Sequence, residues 1–251
     1  MTEDEGLQCM GEVRHSTLVV THGQRLIRAR ITEPVTSPGT RCPVVAFGHG
    51  FLQQARYYDT LMAALAARGY RVVAPDTETG PWPSHGRLAD DLWRVALSAR
   101  EAAPWTGPGR GLVLAGHSMG AGAALLAASR HPEADAVVTL AALETRPPAR
   151  LDAIGAPTLL VVGSRDRIVP PARSRRVYDA MTAPRQWAAV RGGYHCGFLD
   201  RARWRDAGCD RGDLPRREQL DVTARLVADW LDAVFHGRPF EQPPGVDVEQ
   251  H

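Results

Sequence analysis

A serine between two glycines is the residue of this sequence best placed to act as a nucleophile. The segment GHSMG (residues 116–120) directly follows the apolar run Gly111–Ala115 and directly precedes small apolar residues that begin at Ala121. A serine on so sharp a turn between a buried strand and a helix presents its hydroxyl group at the edge of a sheet. The helix N-terminus behind it supplies unpaired N–H groups and a partial positive charge, which favour an oxyanion. The pattern therefore predicts acyl transfer with Ser118 as the attacking group.

A serine nucleophile needs a base, and the base needs an acid that orients it. In a site of this kind the acid and the histidine follow the serine along the chain. Asp166 comes shortly after the apolar run Thr158–Val162, and His195 shortly after the strand-like segment Gln186–Val190. Because the carboxyl ends of parallel strands meet at one edge of a sheet, both side chains are expected near Ser118. We predict Asp166 as the acid and His195 as the general base.

Other acids and another nucleophile fit this pattern less well. Asp200 follows the histidine too closely, Asp135 lies at the wrong end of its strand, and Asp76 precedes the serine. Cys196 does not lie on a turn between a strand and a helix, so we interpret it as a small packing residue.

The oxyanion of the reaction requires N–H donors, and two main-chain groups are in position to provide them. FGHGF (residues 47–51) follows the apolar run Val44–Phe47. The loop after this strand and the residue after the nucleophile each donate one N–H in such sites. The predicted donors are Phe51 and Met119, and no chemical role is assigned to His49.

The elements that must position these groups alternate along the chain. Leu18–Thr21 and Arg25–Thr32 are predicted to form an antiparallel strand pair. The continuously apolar runs predict strands covered by helices on both faces: Val44–Phe47, Arg71–Ala74, Gly111–Ala115, Ala136–Leu140 and Thr158–Val162. Helical periodicity marks Tyr57–Ala67, Leu88–Glu101, Ala121–Ser129, Ala172–Met181 and Leu214–Phe235. This order predicts a single α/β domain over residues 1–251 with a mostly parallel central sheet flanked by helices. The ends, residues 1–15 and 237–251, are expected to be poorly ordered.

Charge and cysteine usage limit the partners. The net charge is +2, so neither nucleic acid nor an anionic membrane surface is expected as a partner. The sequence contains no lysine, so all thirty Lys/Arg residues are arginine. An N-terminus without an apolar core and the lack of an 18-residue apolar run predict no signal peptide, no membrane span and a cytoplasmic location. No C-x-x-C spacing occurs, and no metal or cofactor is expected. Cys196 and Cys209 are close enough to be bridged, but free thiols are favoured in a cytoplasmic chain. The oligomeric state is not indicated.

Taken together, the motifs resemble those of the α/β-hydrolases. HGF (49–51), GHSMG (116–120), GSRD (163–166) and GGYHCGF (192–198) carry the resemblance, which runs from Val44 to Trp230. It is closest to the compact group of cutinase-like polyester hydrolases, chlorophyllases and dienelactone-hydrolase-related esterases, and it implies a single-domain α/β-hydrolase fold.

The space above the nucleophile is expected to be open. Lidded members of this fold insert a helical cap between the strands at Leu140 and Thr158, and the interval here is too short for one. We therefore predict no cap domain and a cleft that accepts bulky groups. Its expected walls are Phe51, Leu52, Trp82, His117, Ile168, Val169 and Tyr194.

The expected reaction is cleavage of small-molecule carboxylic esters, with medium to bulky groups, through an acyl-enzyme on Ser118. A thioesterase or acyltransferase that acts on a carrier-bound chain is an alternative, since five arginines near the acid loop could bind a phosphate or simply form a solvated face (residues 165, 167, 173, 175 and 176). A third alternative is a hydrolase-fold protein that binds or isomerises a small molecule.

Overall fold

The computed structural model describes residues 12–35, 42–102, 107, 109–201 and 208–250. Its described strands form one nine-stranded sheet in the order β1-β2-β4-β3-β5-β6-β7-β8-β9. They are β1 (Val13–His22), β2 (Arg25–Pro34), β3 (Val44–Gly48), β4 (Arg71–Pro75), β5 (Leu112–His117), β6 (Ala136–Leu140), β7 (Thr158–Gly163), β8 (Arg185–Val190) and β9 (Val246–Gln250). The strands β3 to β8 are mutually parallel, whereas β1, β2 and β9 run antiparallel to their neighbours.

Helices cover both faces of the sheet. They are α1 (Asp59–Ala67), α2 (His85–Ala102), α3 (Met119–Arg130), α4 (Pro171–Asp179) and α5 (Arg216–His236), with short 3-10 turns at Ala55–Tyr58, Leu151–Ala153 and His195–Phe198. The apolar side chains of α1 and α5 pack in the core on one face, and those of α2, α3 and α4 pack in the core on the other. Every residue of β3, β5, β6 and β7 is buried, which explains why these strands are apolar throughout. The predicted α/β architecture is confirmed.

The sheet has a switch point between β3 and β5. From β3 the chain crosses one face through α1 to reach β4 on one side, and from β5 it enters α3 on the opposite face. Loops that diverge in this way leave a crevice at the carboxyl ends of the strands, where ligands bind in open α/β sheets. Gly48 pairs with Gly116 at this end of the two strands, so residues 47–51 lie beside the GHSMG turn.

Among the described residues, no inserted domain follows β6. Residues 141–157 connect β6 to β7 and contain only the 3-10 turn Leu151–Ala153. The prediction of an uncapped fold is confirmed. No helix in the described part of the chain is long and apolar enough to cross a membrane.

Both ends of the described chain pair into the sheet, whereas the sequence predicted poorly ordered tails there. At the C-terminus β9 pairs with the free edge of β8, and Val246 is fully buried. The side chain at Val246 therefore contributes to the core and holds the strand in place. At the N-terminus Val13 begins β1, which pairs with β2 along its whole length. Residues 1–11 and residue 251 lie outside the described residues.

Candidate active site

Ser118 occupies a strained turn between β5 and α3. Its φ and ψ are 55° and −115°, a combination that costs a non-glycine residue about 1–3 kcal/mol. Two hydrogen bonds hold the turn: the Ser118 N–H donates to Leu140 O at 2.8 Å, and the Gly122 N–H donates to Ser118 O at 3.1 Å. The surrounding strands thus enforce the backbone that presents the serine side chain at the edge of the sheet.

The two glycines of the turn are required by close contacts. A Cβ atom on Gly120 would overlap the main chain of Gly48, and one on Gly116 would overlap the carbonyl group of Gly120. Glycine at these two positions lets the nucleophile turn approach the loop after β3.

His195 and Asp166 form a buried pair at the ends of β8 and β7. The His195 Nδ1 atom lies 2.7 Å from Asp166 Oδ2, and the side chains are 7% and 0% exposed. The other carboxylate oxygen accepts the N–H groups of Ile168 at 2.9 Å and Val169 at 2.7 Å. Because an acceptor at Nδ1 requires the proton there, neutral His195 has its lone pair on Nε2, as a general base needs.

The other aspartates weighed as acids have structural roles. Asp76 accepts the N–H of Ala55, Asp200 accepts the N–H of Thr60, and Asp135 accepts N–H groups at the start of β5. Among the described aspartates, Asp166 is the one whose carboxylate contacts the His195 ring.

The two expected oxyanion donors lie in the turns that follow β3 and β5. The main-chain N–H groups of Phe51 and Met119 make no hydrogen bond to any residue that the structure describes. Met119 is the first residue of α3, where an N–H has no partner within the helix. Their role as oxyanion donors stays a prediction.

A buried hydrogen-bond chain supports the loop that bears Phe51. The Gly50 N–H donates to the Tyr58 Oη atom at 2.9 Å, which leaves the Tyr58 hydroxyl proton for His117 Nδ1, also at 2.9 Å. Burial, and then the charge that His195 can bear, hold the pKa of His117 well below its usual value, against an opposing effect of the His195 main chain. His117 is thus a neutral acceptor under the site, with its ring centroid 4.5 Å from that of His195.

Three of the predicted wall residues are buried. His117 is 1% exposed because it faces Tyr58, Val169 is 2% exposed because it packs in the core, and Tyr194 is 7% exposed. Ser118 itself is 6% exposed, so burial does not decide these wall assignments, which stay predictions. Phe51 and Ile168 are 47% and 41% exposed.

Leu52 and Trp82 remain wall candidates. Leu52 is partly exposed with a φ of 57°, and Trp82 is 90% exposed. Exposure alone does not place either side chain over Ser118, so their role as walls stays a prediction.

Several residues around His195 were missed by sequence reasoning. The side-chain amide of Gln219, fully buried on α5, accepts the Tyr194 N–H at 3.0 Å and donates to Tyr194 O at 2.8 Å. The Asp210 carboxylate accepts the N–H of His195 at 3.1 Å. Neither position has a sequence signal, because each depends on how distant loops meet.

The cysteines next to the histidine loop are bridged. Cys196 and Cys209 form a disulfide with Cα atoms 5.7 Å apart, within the usual range for such a bond. The expectation of free thiols is wrong, because folding brings the two loops together, whereas Cys196 does pack in the core as expected. The cytoplasmic location behind that expectation stays a prediction. Cys42 is free and buried, and Cys9 lies outside the described residues.

The arginines near the acid loop are largely paired on the surface. Arg165 pairs with Asp213, Arg175 with Glu249, and Arg176 with Glu144. Such exposed pairs contribute about 0–1 kcal/mol each, and they fit a solvated face.

Comparison with known proteins points to one superfamily. Residues 39–149 match the family described as "Serine aminopeptidase, S33", and residues 96–216 match the "Alpha/beta hydrolase family". The chain is 32% identical over 132 residues to a "Putative non-heme haloperoxidase" of Mycobacterium phage D29, a match that covers 51% of this chain and 43% of the relative. It is 32% identical over 117 residues to "Esterase YjfP" of Escherichia coli (strain K12), covering 39% of this chain and 45% of the relative. The chain thus spans less than half the length of each of these relatives.

These names do not single out the cutinase-like group, which stays a prediction. The broader assignment is carried by the sheet order, the helices on both faces and the two overlapping family matches. The chain belongs to the α/β-hydrolase superfamily.

Proposed function

We propose that this chain is a serine hydrolase that cleaves carboxylic esters of medium to bulky substrates through an acyl-enzyme on Ser118. The observation that carries the proposal is the buried His195–Asp166 pair at the same edge of the sheet as the strained Ser118 turn. A positive φ at serine and a buried histidine–carboxylate pair both cost stability, and acyl transfer gives a reason for both.

The reaction begins with proton transfer from the Ser118 hydroxyl group to His195 Nε2 as the oxygen attacks the ester carbonyl. The negative charge on the carbonyl oxygen is bound by the N–H groups of Phe51 and Met119, each worth about 3–4 kcal/mol in the transition state. The same histidine then protonates the departing alcohol, which leaves an acyl group on Ser118. Water, activated by His195, attacks this acyl-enzyme and releases the acid.

The positive charge that forms on His195 during these steps has Asp166 as its counter-charge and meets no second positive charge on His117. Asp166 binds the Nδ1 proton at 2.7 Å and stabilises the imidazolium. His117, on the other side, has a pKa well below the usual histidine value because it is buried. It therefore stays neutral near neutral pH and does not repel the imidazolium.

The exposed side chains next to the catalytic loops favour a substrate with apolar parts. Phe51 belongs to the oxyanion loop, and Ile168 donates its N–H to the acid. Both expose apolar surface, and no inserted cap covers the strand ends between β6 and β7. The relative named as an esterase supports an ester as the cleaved bond.

A series of nitrophenyl esters of increasing chain length, assayed beside the matching acyl thioesters, tests the proposal. We expect ester turnover to exceed thioester turnover, and Ser118→Ala to lower kcat by 10³ or more, on the order seen when a nucleophile is removed. Ser129→Ala, whose hydroxyl group bonds Leu126 O at the far end of α3 and no other residue that the structure describes, is the matched control and should keep full activity. Activity that survives in Ser118→Ala would refute the acyl-enzyme. Faster turnover of thioesters than of esters would instead support a thioesterase.

Aminoacyl nitroanilides belong in the same series. One matching family is described as serine aminopeptidases, so an amide is the substrate that this likeness raises. If anilides are cleaved with a higher kcat/KM than every ester tested, the ester assignment is wrong and the serine mechanism stands.

A further inference from the structure

The carboxylate of Asp210 binds both loops that bear the acid and the base of the proposed site. Its Oδ2 atom accepts the main-chain N–H of Arg167 at 3.0 Å and of His195 at 3.1 Å. Its Oδ1 atom accepts the N–H of Cys196 at 3.0 Å. Arg167 directly follows the acid Asp166, so three N–H groups from the two catalytic loops converge on one carboxylate.

A covalent bond holds Asp210 in this place. Cys209, the residue before it, is bridged to Cys196, the residue after His195. The disulfide and the Asp210 carboxylate therefore both join the segment of Cys209 and Asp210 to the segment of His195 and Cys196. The next residues continue the contact, since the N–H groups of Asp213 and Leu214 donate to Gly192 O at 2.9 and 3.1 Å.

We propose that Asp210 is a positioning residue that fixes His195 relative to Asp166 without contacting the substrate. This inference rests on the proposed serine hydrolase function. N–H bonds to an ionised acceptor are about twice as strong as neutral ones, and a misplacement of about 1 Å at a reacting group can cost about 100-fold in rate. Three such bonds from two loops hold the base His195 and the acid Asp166 at a fixed distance and orientation.

Asparagine at position 210 tests the hydrogen-bond acceptors and the charge of the carboxylate without changing the size of the side chain. Asp210→Asn keeps the size of the side chain but replaces one acceptor oxygen by an NH₂ group, which cannot accept a hydrogen bond. In either orientation of the amide, at least one of the three N–H groups loses its partner. Asp213→Asn is the matched control, because the Asp213 carboxylate is 72% exposed and pairs only with Arg165 among the described residues.

The test measures kcat and KM for a nitrophenyl ester, with each preparation's competent sites counted by fluorophosphonate titration of Ser118. We expect Asp210→Asn to lower kcat per titrated site by about 10- to 100-fold with KM within twofold, and Asp213→Asn to match the parent. Hydrogen exchange at the amides of Arg167, His195 and Cys196 should quicken in Asp210→Asn alone. A purely structural Asp210 would lower the fraction of titratable sites and leave kcat per site unchanged.

An unchanged kcat per titrated site in Asp210→Asn overturns the inference and leaves the proposed function intact. A folded parent protein that takes no probe at Ser118 overturns the proposed function itself. In that event the exchange measurement still decides whether Asp210 binds the loops, and unchanged exchange in Asp210→Asn overturns that contact too.

Discussion

Tyr58 gives a sharp test of how the oxyanion loop is supported. Its hydroxyl group lies between the Gly50 N–H and His117 Nδ1, at 2.9 Å from each, and the side chain is fully buried. In Tyr58→Phe both groups stay buried and lose this partner. Each such loss costs about 1–3 kcal/mol, so the free energy of unfolding should fall by about 2–6 kcal/mol, a large part of the usual stability of a domain.

The same change should lower the rate. Gly50 precedes the proposed donor Phe51, and an unsupported Gly50 N–H lets that donor move. Loss of one oxyanion donor costs about 100- to 1000-fold in kcat, and partial displacement should cost about 10- to 100-fold. We expect Tyr58→Phe to reduce kcat for a nitrophenyl ester within this range while KM changes little.

Two other tyrosines serve as matched controls. Tyr57→Phe removes a hydroxyl group whose described contact is Arg56 at 3.5 Å, and it should change neither stability nor rate. Tyr70→Phe removes a buried bond to Asp232 far from the site in the chain, and it should lower stability alone. If Tyr58→Phe keeps full kcat while it loses as much stability as Tyr70→Phe, the support of the oxyanion loop by Tyr58 is refuted.

Four further predictions concern the turn, a buried histidine, the disulfide and the cleft. Gly120→Ala places a Cβ atom against the main chain of Gly48, so soluble folded variant, if obtained, should lose activity by 100-fold or more; wild-type kcat would contradict the close approach. The pKa of His117 in the folded state lies below its usual 6.5, so the unfolded chain binds a proton that the folded chain does not, and the free energy of unfolding should fall as the pH drops below about 6.5. His117→Gln removes this titration, so the slope of the free energy of unfolding against pH, measured by urea denaturation, should decrease by up to about 1.4 kcal/mol per pH unit. Equal slopes in the parent and the variant would contradict the lowered pKa. Replacing both Cys196 and Cys209 by serine should cost about 3 kcal/mol in urea unfolding, whereas an unchanged midpoint and slope would argue that no bridge forms. Trp82→Ala should raise KM for bulky esters and not for acetates if the indole is a wall; equal KM values remove it from the cleft.

The sequence predicted the sheet and the GHSMG turn well because both have strong local signals. β3, β5, β6 and β7 are buried on both faces, so their runs are apolar from end to end. The glycines of the GHSMG turn are imposed by contacts within a few residues and with one neighbouring loop. Asp166 and His195 followed from the rule that strand ends share one edge of the sheet.

The rest depended on contacts between distant segments. Asp210 and Gln219 act on the histidine loop through main-chain groups, and nothing in their own neighbourhoods indicates this. β9 follows a proline-rich stretch, and it forms because β8 has a free edge to pair with. β5 continues through His117 and turns its ring towards Tyr58, a contact that the sequence around either residue does not indicate.

Covalent labelling shows whether Ser118 is an activated nucleophile. The folded protein is incubated with a fluorophosphonate probe, digested and analysed by mass spectrometry. We predict one adduct, on the peptide that contains Ser118, that is absent in Ser118→Ala and forms much more slowly in Asp166→Asn. If the folded protein stays unmodified at Ser118, Ser118 is not an activated nucleophile. If Asp166→Asn is labelled as fast as the parent, Asp166 does not contribute to that activation.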